Sequence, residues 1–577
     1  MKKSSMMYDV AIIGGGPAGS TAGSLLRKYN PELRVLICER EKFPRDHVGE
    51  SQLPVIGDIL HEMGVWEKVE AADFPVKIGA TYRWGATPDL WDFSFVHEYD
   101  DPPRPAKYEG TRTRTAFQVD RAVYDDILLR HAEEMGCEVR EETKVADVLR
   151  DGDKVMGLRL ESGDVITARY YVDASGASGI LRRAMGVEVD EPTALRNIAI
   201  WDYWQDAEWA VTIGKGGTRV QVMSLGYGWI WFIPIRPTRT SLGLIVPAEY
   251  YKKSGKKPEE LYVEAIAQEP LISKLVQKAT REHQLQTTRD WSFTVERSAG
   301  DNWFLCGEAA GFADPILAAG LSMAHVGAKE VAYTILELDR GRHGATWLKT
   351  NLSERQTRRV RQHIRFADYW YTANGLFTDL VNETKNIAEE AGLDLDAQSA
   401  WQWLGTGGFI DDDLDTAGFS SYSLAGVKRI TELMAKGEDE WNIASYNVFR
   451  LNLQGAKFDH RPFYKDGMIE KVPCYRRGNR TLSLIGPFAT LVELLKKNEN
   501  IFDIRRAFGE FAQSHQDLAD PGIITWLLIE GLEAMVVDGW VEAKRYKSLP
   551  LMARPTLEHG FIQMNTDIND PKKELAT

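Results

Sequence analysis

Apolar residues along this chain fall into two textures, and the switch between them outlines the architecture. A short apolar run from Tyr8 to Ile13 ends in Gly14, helical spacing follows from Pro17 to about Tyr29, and a second run from Arg34 to Cys38 closes at Glu39. Two strands too short to be helices, joined by a glycine turn and a helix, predict a parallel βαβ unit. From about residue 77 to 99 the pattern becomes alternating and aromatic, with Tyr82, Trp84, Trp91, Phe93 and Phe95. Period-two spacing of this kind predicts strands with one buried face. A helix is predicted over 121–135, and strands over 139–148, 155–160 and 165–172. A β-rich stretch from 197 to 247 contains the runs 198–204, 220–224, 229–235 and 241–246. Helical spacing returns over 258–280, and Phe304 to Cys306 reads as one more core strand feeding a helix.

The fold class that follows is α/β, with a nucleotide-binding domain assembled from separated segments. It is interleaved with an antiparallel, substrate-facing sheet over about 75–110 and 197–295. The catalytic unit is expected to span 1–350. The region 351–577 is read as mainly helical, ending after about Gln563 in a loose polar tail. With 577 residues, two or three domains are expected. The net charge of -14 argues against nonspecific nucleic-acid binding. Four cysteines without CxxC spacing give no metal signature and suit a reducing, cytoplasmic compartment. There is no signal-peptide layout before Tyr8 and no apolar stretch of about 18 residues, so no membrane span is expected.

Chemistry begins at Gly14-Gly15-Gly16-Pro17-Ala18-Gly19. Gly14 permits the tight turn, Gly16 lets a pyrophosphate approach the backbone, and Gly19 lets helix and strand pack closely. The helix start then offers the phosphates unpaired N–H groups. Glu39 is placed to accept hydrogen bonds from ribose hydroxyls. Further on, Phe304 to Pro315 is an apolar strand followed by the turn Gly307-Glu308 and another helix start, which resembles the flavoprotein segment that meets the ribityl chain and pyrophosphate. Val172-Asp173-Ala174-Ser175-Gly176 is similarly a strand and turn near the cofactor. Together these resemblances imply FAD rather than NAD.

With those residues in place, the chain resembles the flavin-dependent halogenases, within the fold of the aromatic hydroxylases. The motifs that carry the resemblance are Phe43 to Ser51, Phe117 to Arg121, and Trp229-Ile-Trp231-Phe-Ile233-Pro234. The resemblance implies cofactor contacts at Gly14, Gly16, Ala18, Gly19, Glu39, Arg45, Ser51, Arg121, Glu308 and Gly320. Trp229 and Trp231, on one face of a strand, would wall the organic substrate off from the oxidant. Halide would sit at the loop Ala318-Ala319-Gly320, held by backbone N–H groups. Lys77 occupies the position of the family's catalytic lysine. There it would polarise hypohalous acid or carry the halogen as a haloamine, the acid arising from halide and a flavin C4a-hydroperoxide. The cofactor would be FAD as FADH2, supplied by a separate flavin reductase, with chloride or bromide as co-substrate. The organic substrate would be an electron-rich aromatic or activated acyl group, free or on a carrier protein, in secondary-metabolite (antibiotic) biosynthesis.

Three features depart from the pattern or stay open. Glu308 stands where aspartate is usual, the halide loop lacks serines, and no glutamate matches the general acid of the indole-specific relatives. An NADPH-dependent hydroxylase and a catalytically retired flavoprotein subunit therefore remain as alternative readings. The segment 482–543 looks like a winged-helix module of the kind found in relatives with tethered substrates. Trp370, Tyr371, Trp401, Trp403 and Phe409 are candidates for pocket lining or for helix packing.

Overall fold

The computed structural model describes residues 8–84, 90–94, 115–192, 196–210, 217–373, 441–478, 480–516, 521–552 and 562–564. In chain order, the elements that position the site begin with β1 (Tyr8–Ile13), α1 (Pro17–Tyr29), β2 (Val35–Cys38), β3 (Val76–Arg83), β4 (Trp91–Ser94) and α2 (Arg121–Glu134). Next come β5 (Glu138–Arg140), β6 (Ala168–Asp173), β7 (Arg196–Gln205), β8 (Gly217–Leu225), β9 (Gly228–Pro234), β10 (Arg239–Pro247), β11 (Gln286–Trp291) and β12 (Trp303–Leu305). Two long helices, α3 (Gly320–Arg340) and α4 (Ala345–Ala373), lead into the C-terminal region.

The strands β12, β6, β1, β2 and β5 form a parallel sheet in that order. Ile13 pairs with both Cys38 and Asp173, and Asp173 with Leu305, so the carboxyl ends of four strands meet at one edge. Ligands in open α/β sheets bind at such an edge. Helix α1 follows β1 because Pro17 fits the first turn and Arg27 and Lys28 suit the last. It packs tightly: a Cβ on Gly19 would lie 1.9 Å from the Gly14 carbonyl oxygen.

A second sheet runs β7, β10, β9, β8, β3, β4, with β11 pairing on the outer side of β7. The sequence predicts an antiparallel sheet, and most pairs are antiparallel, but β3 and β8 run parallel. The reason is topological: β3 comes from the first half of the chain and joins the edge of a later meander. Side chains on β9 alternate as expected. Ile230 and Phe232 enter a core with Leu242, Leu244, Leu261 and Tyr262, while Trp229, Trp231 and Ile233 face the opposite side.

The C-terminal region carries strands as well as helices. These are β13 (Val448–Leu451), β14 (Lys457–Lys465), β15 (Met468–Arg477), β16 (Arg480–Ser483), α5 (Gly486–Leu495), α6 (Ile501–Ser514), α7 (Pro521–Val537), β17 (Val541–Lys544) and β18 (Ile562–Met564). The three helices share a core with Trp441, Phe449 and Trp540, beside the antiparallel pair β13/β17. The β14–β15 hairpin reaches back onto the catalytic unit. Ile469 packs with Tyr333 and Leu348, Arg340 bonds the Gly467 carbonyl, and Arg476 meets Glu354 at 3.1 Å. The expected division at 350/351 therefore falls inside α4. The short strand β18, which pairs with β4, lies where the loose tail was read to begin. Among the described residues no helix is long and apolar enough to cross a membrane, and no group of side chains forms a metal site. All four cysteines are unpaired and buried.

Candidate active site

One cavity of about 860 Å³ runs from the carboxyl edge of the parallel sheet to the face of the second sheet. At the first end, Gly14 has φ +104°, and a Cβ there would lie 2.4 Å from the Ala174 carbonyl oxygen. Only glycine accommodates both the conformation and the contact. At Gly16 the nearest atom to such a Cβ would be 3.5 Å away, so this turn opens directly on the cavity. Glu39 lines it too, its carboxylate accepting from Gly15 N at 2.6 Å and Glu41 N at 2.8 Å. Ala18 is part of the wall, whereas Gly19 serves the helix–strand packing beneath it. Asp173 turns away, accepting from Ser175, Leu181 and Arg182, and leaves Ala174, Ser175 and Gly176 to face the space.

The segment from Phe43 to Ser51 is fastened to α2 by charge. Arg121 forks onto Asp125 at 2.7 and 2.9 Å, and its third nitrogen donates to the Val48 and Gly49 carbonyls. Arg45 meets the same carboxylate at 3.0 Å. Burial works against the charge on Asp125, yet the two guanidiniums hold its carboxyl below the usual range. Ser51 Oγ is buried, lines the cavity and has no hydrogen-bond partner in the protein. Glu308 lines the cavity as well, and removal from water raises its pKa.

Lys77 lines the same cavity and is 3% exposed. Strand parity would put it opposite Ala80 and Tyr82. The register against β8 jumps between Thr218 and Arg219, so one extra residue, Ile78, is accommodated in β3. This bulge brings Lys77 onto the same side as Ala80 and Tyr82. Its Nζ donates to the Gln52 carbonyl at 2.9 Å, and burial pushes its pKa down to about 7.

The loop before α3 is shaped by Asp314, whose carboxylate accepts from Ile316 N at 2.8 Å. Ala318 follows at φ +55°, a conformation that costs a non-glycine residue about 1 kcal/mol. Ala318 and Gly320 line the cavity; a Cβ on Gly320 would meet nothing within 4 Å. The Ala319 methyl faces away from the cavity, into a core with Ala313, Met323, Val360 and Ile364, so what this residue can offer the cavity is backbone. Trp229 and Trp231 line the far wall, ring centroids 6.1 Å apart.

Several residues of the site carried no role in the sequence reading. Tyr82 donates to the Ile316 carbonyl at 3.2 Å, tying β3 to the loop before α3. Glu50 is buried with a raised pKa, accepting from Gly49 N and Tyr203 OH. Tyr371 lies behind the wall, not in it. The side chain of Trp370, and Trp401, Trp403 and Phe409, lie outside the described residues.

The FAD binding domain family matches residues 7–367. A 1H-pyrrole-2-carbonyl-[peptidyl-carrier protein] chlorinase from Pseudomonas fluorescens is 30% identical over 396 residues, which cover 66% of this chain and 86% of the relative. The structure of the myxobacterial chondrochloren halogenase CndH, described as a new variant of FAD-dependent halogenases, aligns with a TM-score of 0.58. Identity there is 30%, covering 64% of this chain and 83% of that one. CmlS, a flavin-dependent halogenase, aligns with a TM-score of 0.70 over 97% of this chain and 100% of its own. Identity is 24%, so that likeness is one of fold, and it extends through the C-terminal region.

Proposed function

We propose, from the premise that this chain belongs to the flavin-dependent halogenases and carries their FAD binding domain, that Lys77 delivers halogen to an electron-rich aromatic or acyl substrate. The observation that carries this reading is the buried Lys77 amine in the same cavity as the dinucleotide cradle and the two indoles. The donor set suits FAD: the open turn at Gly16, the orphaned Ser51 hydroxyl and the Glu308 carboxyl are partners for pyrophosphate, flavin and ribityl groups. Arg45 and Arg121 brace that surface through Asp125. When bound in reduced form, FAD supplies two electrons to oxygen, one oxygen atom leaving as water and the other reaching halide as hypohalous acid.

Halide would sit beside Ala318 and Gly320, at the start of α3, where the N–H groups of the first helical turn and the helix dipole favour an anion, the Ala318 N–H itself being taken by the Pro315 carbonyl at 2.9 Å. Because burial brings Lys77 near neutrality in pKa, about half the amine is uncharged at pH 7. That amine attacks the halogen of hypohalous acid: an N–halogen bond forms, the O–halogen bond breaks, and an amine proton leaves with hydroxide as water. The haloamine then transfers halogen to the substrate carbon: a carbon–halogen bond forms, the N–halogen bond breaks, and the proton displaced from that carbon restores the Lys77 amine. Trp229 and Trp231 keep that carbon from reaching the oxidant before Lys77 does.

A carrier-bound acyl aromatic is the favoured substrate class, supported by the named substrate of the Pseudomonas relative. The C-terminal helices with the β13/β17 pair, read as a winged-helix-like module, would cover or dock that substrate. A separate flavin reductase supplies FADH2, and a cytoplasmic location suits four unpaired cysteines. The test is Lys77→Ala, mixed as the FADH2-loaded protein with oxygenated bromide or chloride buffer. It should bind FAD and release hydrogen peroxide, and its transfer of halogen to an aromatic acyl carrier thioester should fall at least a hundredfold. Undiminished transfer would refute the lysine assignment.

A further inference from the structure

The two indoles of the wall are fastened by the same device. Trp229 Nε1 donates to Tyr371 OH at 2.8 Å, and that hydroxyl donates on to Asp314 at 3.2 Å. Trp231 Nε1 donates to Ser241 Oγ at 3.1 Å, and the Ser241 side chain favours the charged form of the nearby Glu50 carboxyl, against the rise that burial causes. Each hydroxyl accepts from an indole, so its single proton is left for a carboxyl group. Each carboxyl belongs to a loop of the cofactor cavity: Glu50 to the Phe43–Ser51 segment and Asp314 to the halide loop. Further contacts fix the ring planes. Trp231 lies flat over Gly243, its partner across β9 and β10, where a Cβ would fall 2.1 Å from the indole. Trp229 packs edge-on to Trp84 at 6.4 Å.

Neither Tyr371 nor Ser241 lines the cavity; Ser241 stands by Glu50, which does line it, and Tyr371 by Asp314, next to the lining residues Pro315 and Ile316. We infer that Ser241 and Tyr371 are positioning residues that lock the two indoles to the flavin-side and halide-side loops, so that the wall keeps its shape only while both loops are in place. This rests on the halogenase reading of the site. Tyr371 lies near the end of α4, so the helix leading into the C-terminal region completes the active site from behind.

Loss of a hydroxyl frees an indole N–H in a buried site, where rotation is the way to recover a partner. The consequence is leakage: oxidising equivalents leave as hydrogen peroxide or free hypohalous acid instead of reaching substrate through Lys77. The experiment compares wild type with Ser241→Ala, Ser241→Thr and Tyr371→Phe. All are loaded with photochemically reduced FAD and mixed with oxygenated bromide buffer containing monochlorodimedone as a trap for free hypohalite. Tryptophan near-ultraviolet circular dichroism is recorded for each, along with FAD affinity and hydrogen peroxide release.

The expected result is a changed tryptophan dichroism and a three- to tenfold rise in peroxide plus free hypohalite for Ser241→Ala and Tyr371→Phe. FAD affinity should stay within twofold, and Ser241→Thr, which keeps the hydroxyl, should return to wild-type values. Unchanged dichroism and leakage in both hydroxyl-deleted variants would overturn the inference, as would the same defect in Ser241→Thr. Wild-type protein that oxidises FADH2 but makes no hypohalite at any bromide concentration would overturn the halogenase reading instead. The dichroism of the variants would still decide the indole tethers in that event.

Discussion

Replacing Lys77 by methionine should make the protein more stable, and more so in acid than in base. The Lys77 amine is 3% exposed and its pKa is pushed from 10.5 to about 7 by burial alone. A gap of roughly 3.5 in pKa, at about 1.4 kcal/mol for each, means the charged form costs the fold on the order of 5 kcal/mol. The sign follows from proton counting: between pH 7 and 10.5 the unfolded chain holds a proton that the folded chain has released, so stability rises with pH across that window. Below pH 7 the full penalty applies; above 10.5 it vanishes. Methionine has a similar unbranched stem and no charge to desolvate. Its cost is the lost hydrogen bond to the Gln52 carbonyl, about 1–2 kcal/mol for a buried acceptor left unpaired. The net expectation for Lys77→Met is a gain of about 3 kcal/mol at pH 6, shrinking to nothing or slightly negative near pH 10. Urea unfolding followed by tryptophan fluorescence at pH 6, 7.5 and 9.5 measures it, on FAD-free protein so that flavin affinity does not intervene. A variant no more stable than wild type at pH 6, or a difference that does not narrow as pH rises, would refute the claim that Lys77 is held against its charge.

Two further outcomes follow from the cofactor side. Asp125→Asn removes the carboxylate shared by Arg121 and Arg45, leaving two guanidiniums short of a counter-charge in a buried site; the expected loss is about 3–5 kcal/mol at pH 7. Since the Asp125 carboxyl is held low, its contribution is present above the ordinary aspartate pKa and lost as pH falls through the lower folded value. The gap between variant and wild type should therefore close below pH 4, which acid titration of the urea midpoint checks. Gly14→Ala places a methyl 2.4 Å from the Ala174 carbonyl oxygen at a positive φ, so FAD affinity measured by fluorescence quenching should fall at least tenfold. Retained affinity would mean that the glycine turn yields more easily than its packing implies.

The dinucleotide half was legible in the sequence because its chemistry is local. Gly14, Gly16, Gly19 and Glu39 act through the turn and strand ends they occupy, and their spacing records that directly. The double-tryptophan strand was legible for the same reason, since period two on β9 decides which side chains share a face. Lys77 was marked by resemblance, but the direction of its side chain was not, because the bulge at Ile78 breaks the parity on which strand reading depends. The inward packing of the Ala319 methyl was not legible, because turns have no side-chain period. The indole tethers were invisible for a different reason: Tyr371 is 142 residues from the tryptophan it holds, and nothing in a serine on a strand says that an indole leans on it. The strands β14 and β15 went unread because charged and aromatic residues and Pro462 obscure their alternation.

The bulge in β3 has an implication for moving this activity between proteins. Side-chain identity alone does not carry the lysine: a recipient strand with the same letters but one residue fewer before Gly79 would swing the amine into the apolar core now filled by Ile78. What must be grafted is the local count of residues between the neighbouring strand's Thr218 and Arg219 and their partners. On the proposed role of Lys77, a lineage that lost that single insertion would lose the amine from the cavity in one step while keeping its dinucleotide cradle, and regaining it would take a codon insertion rather than any substitution.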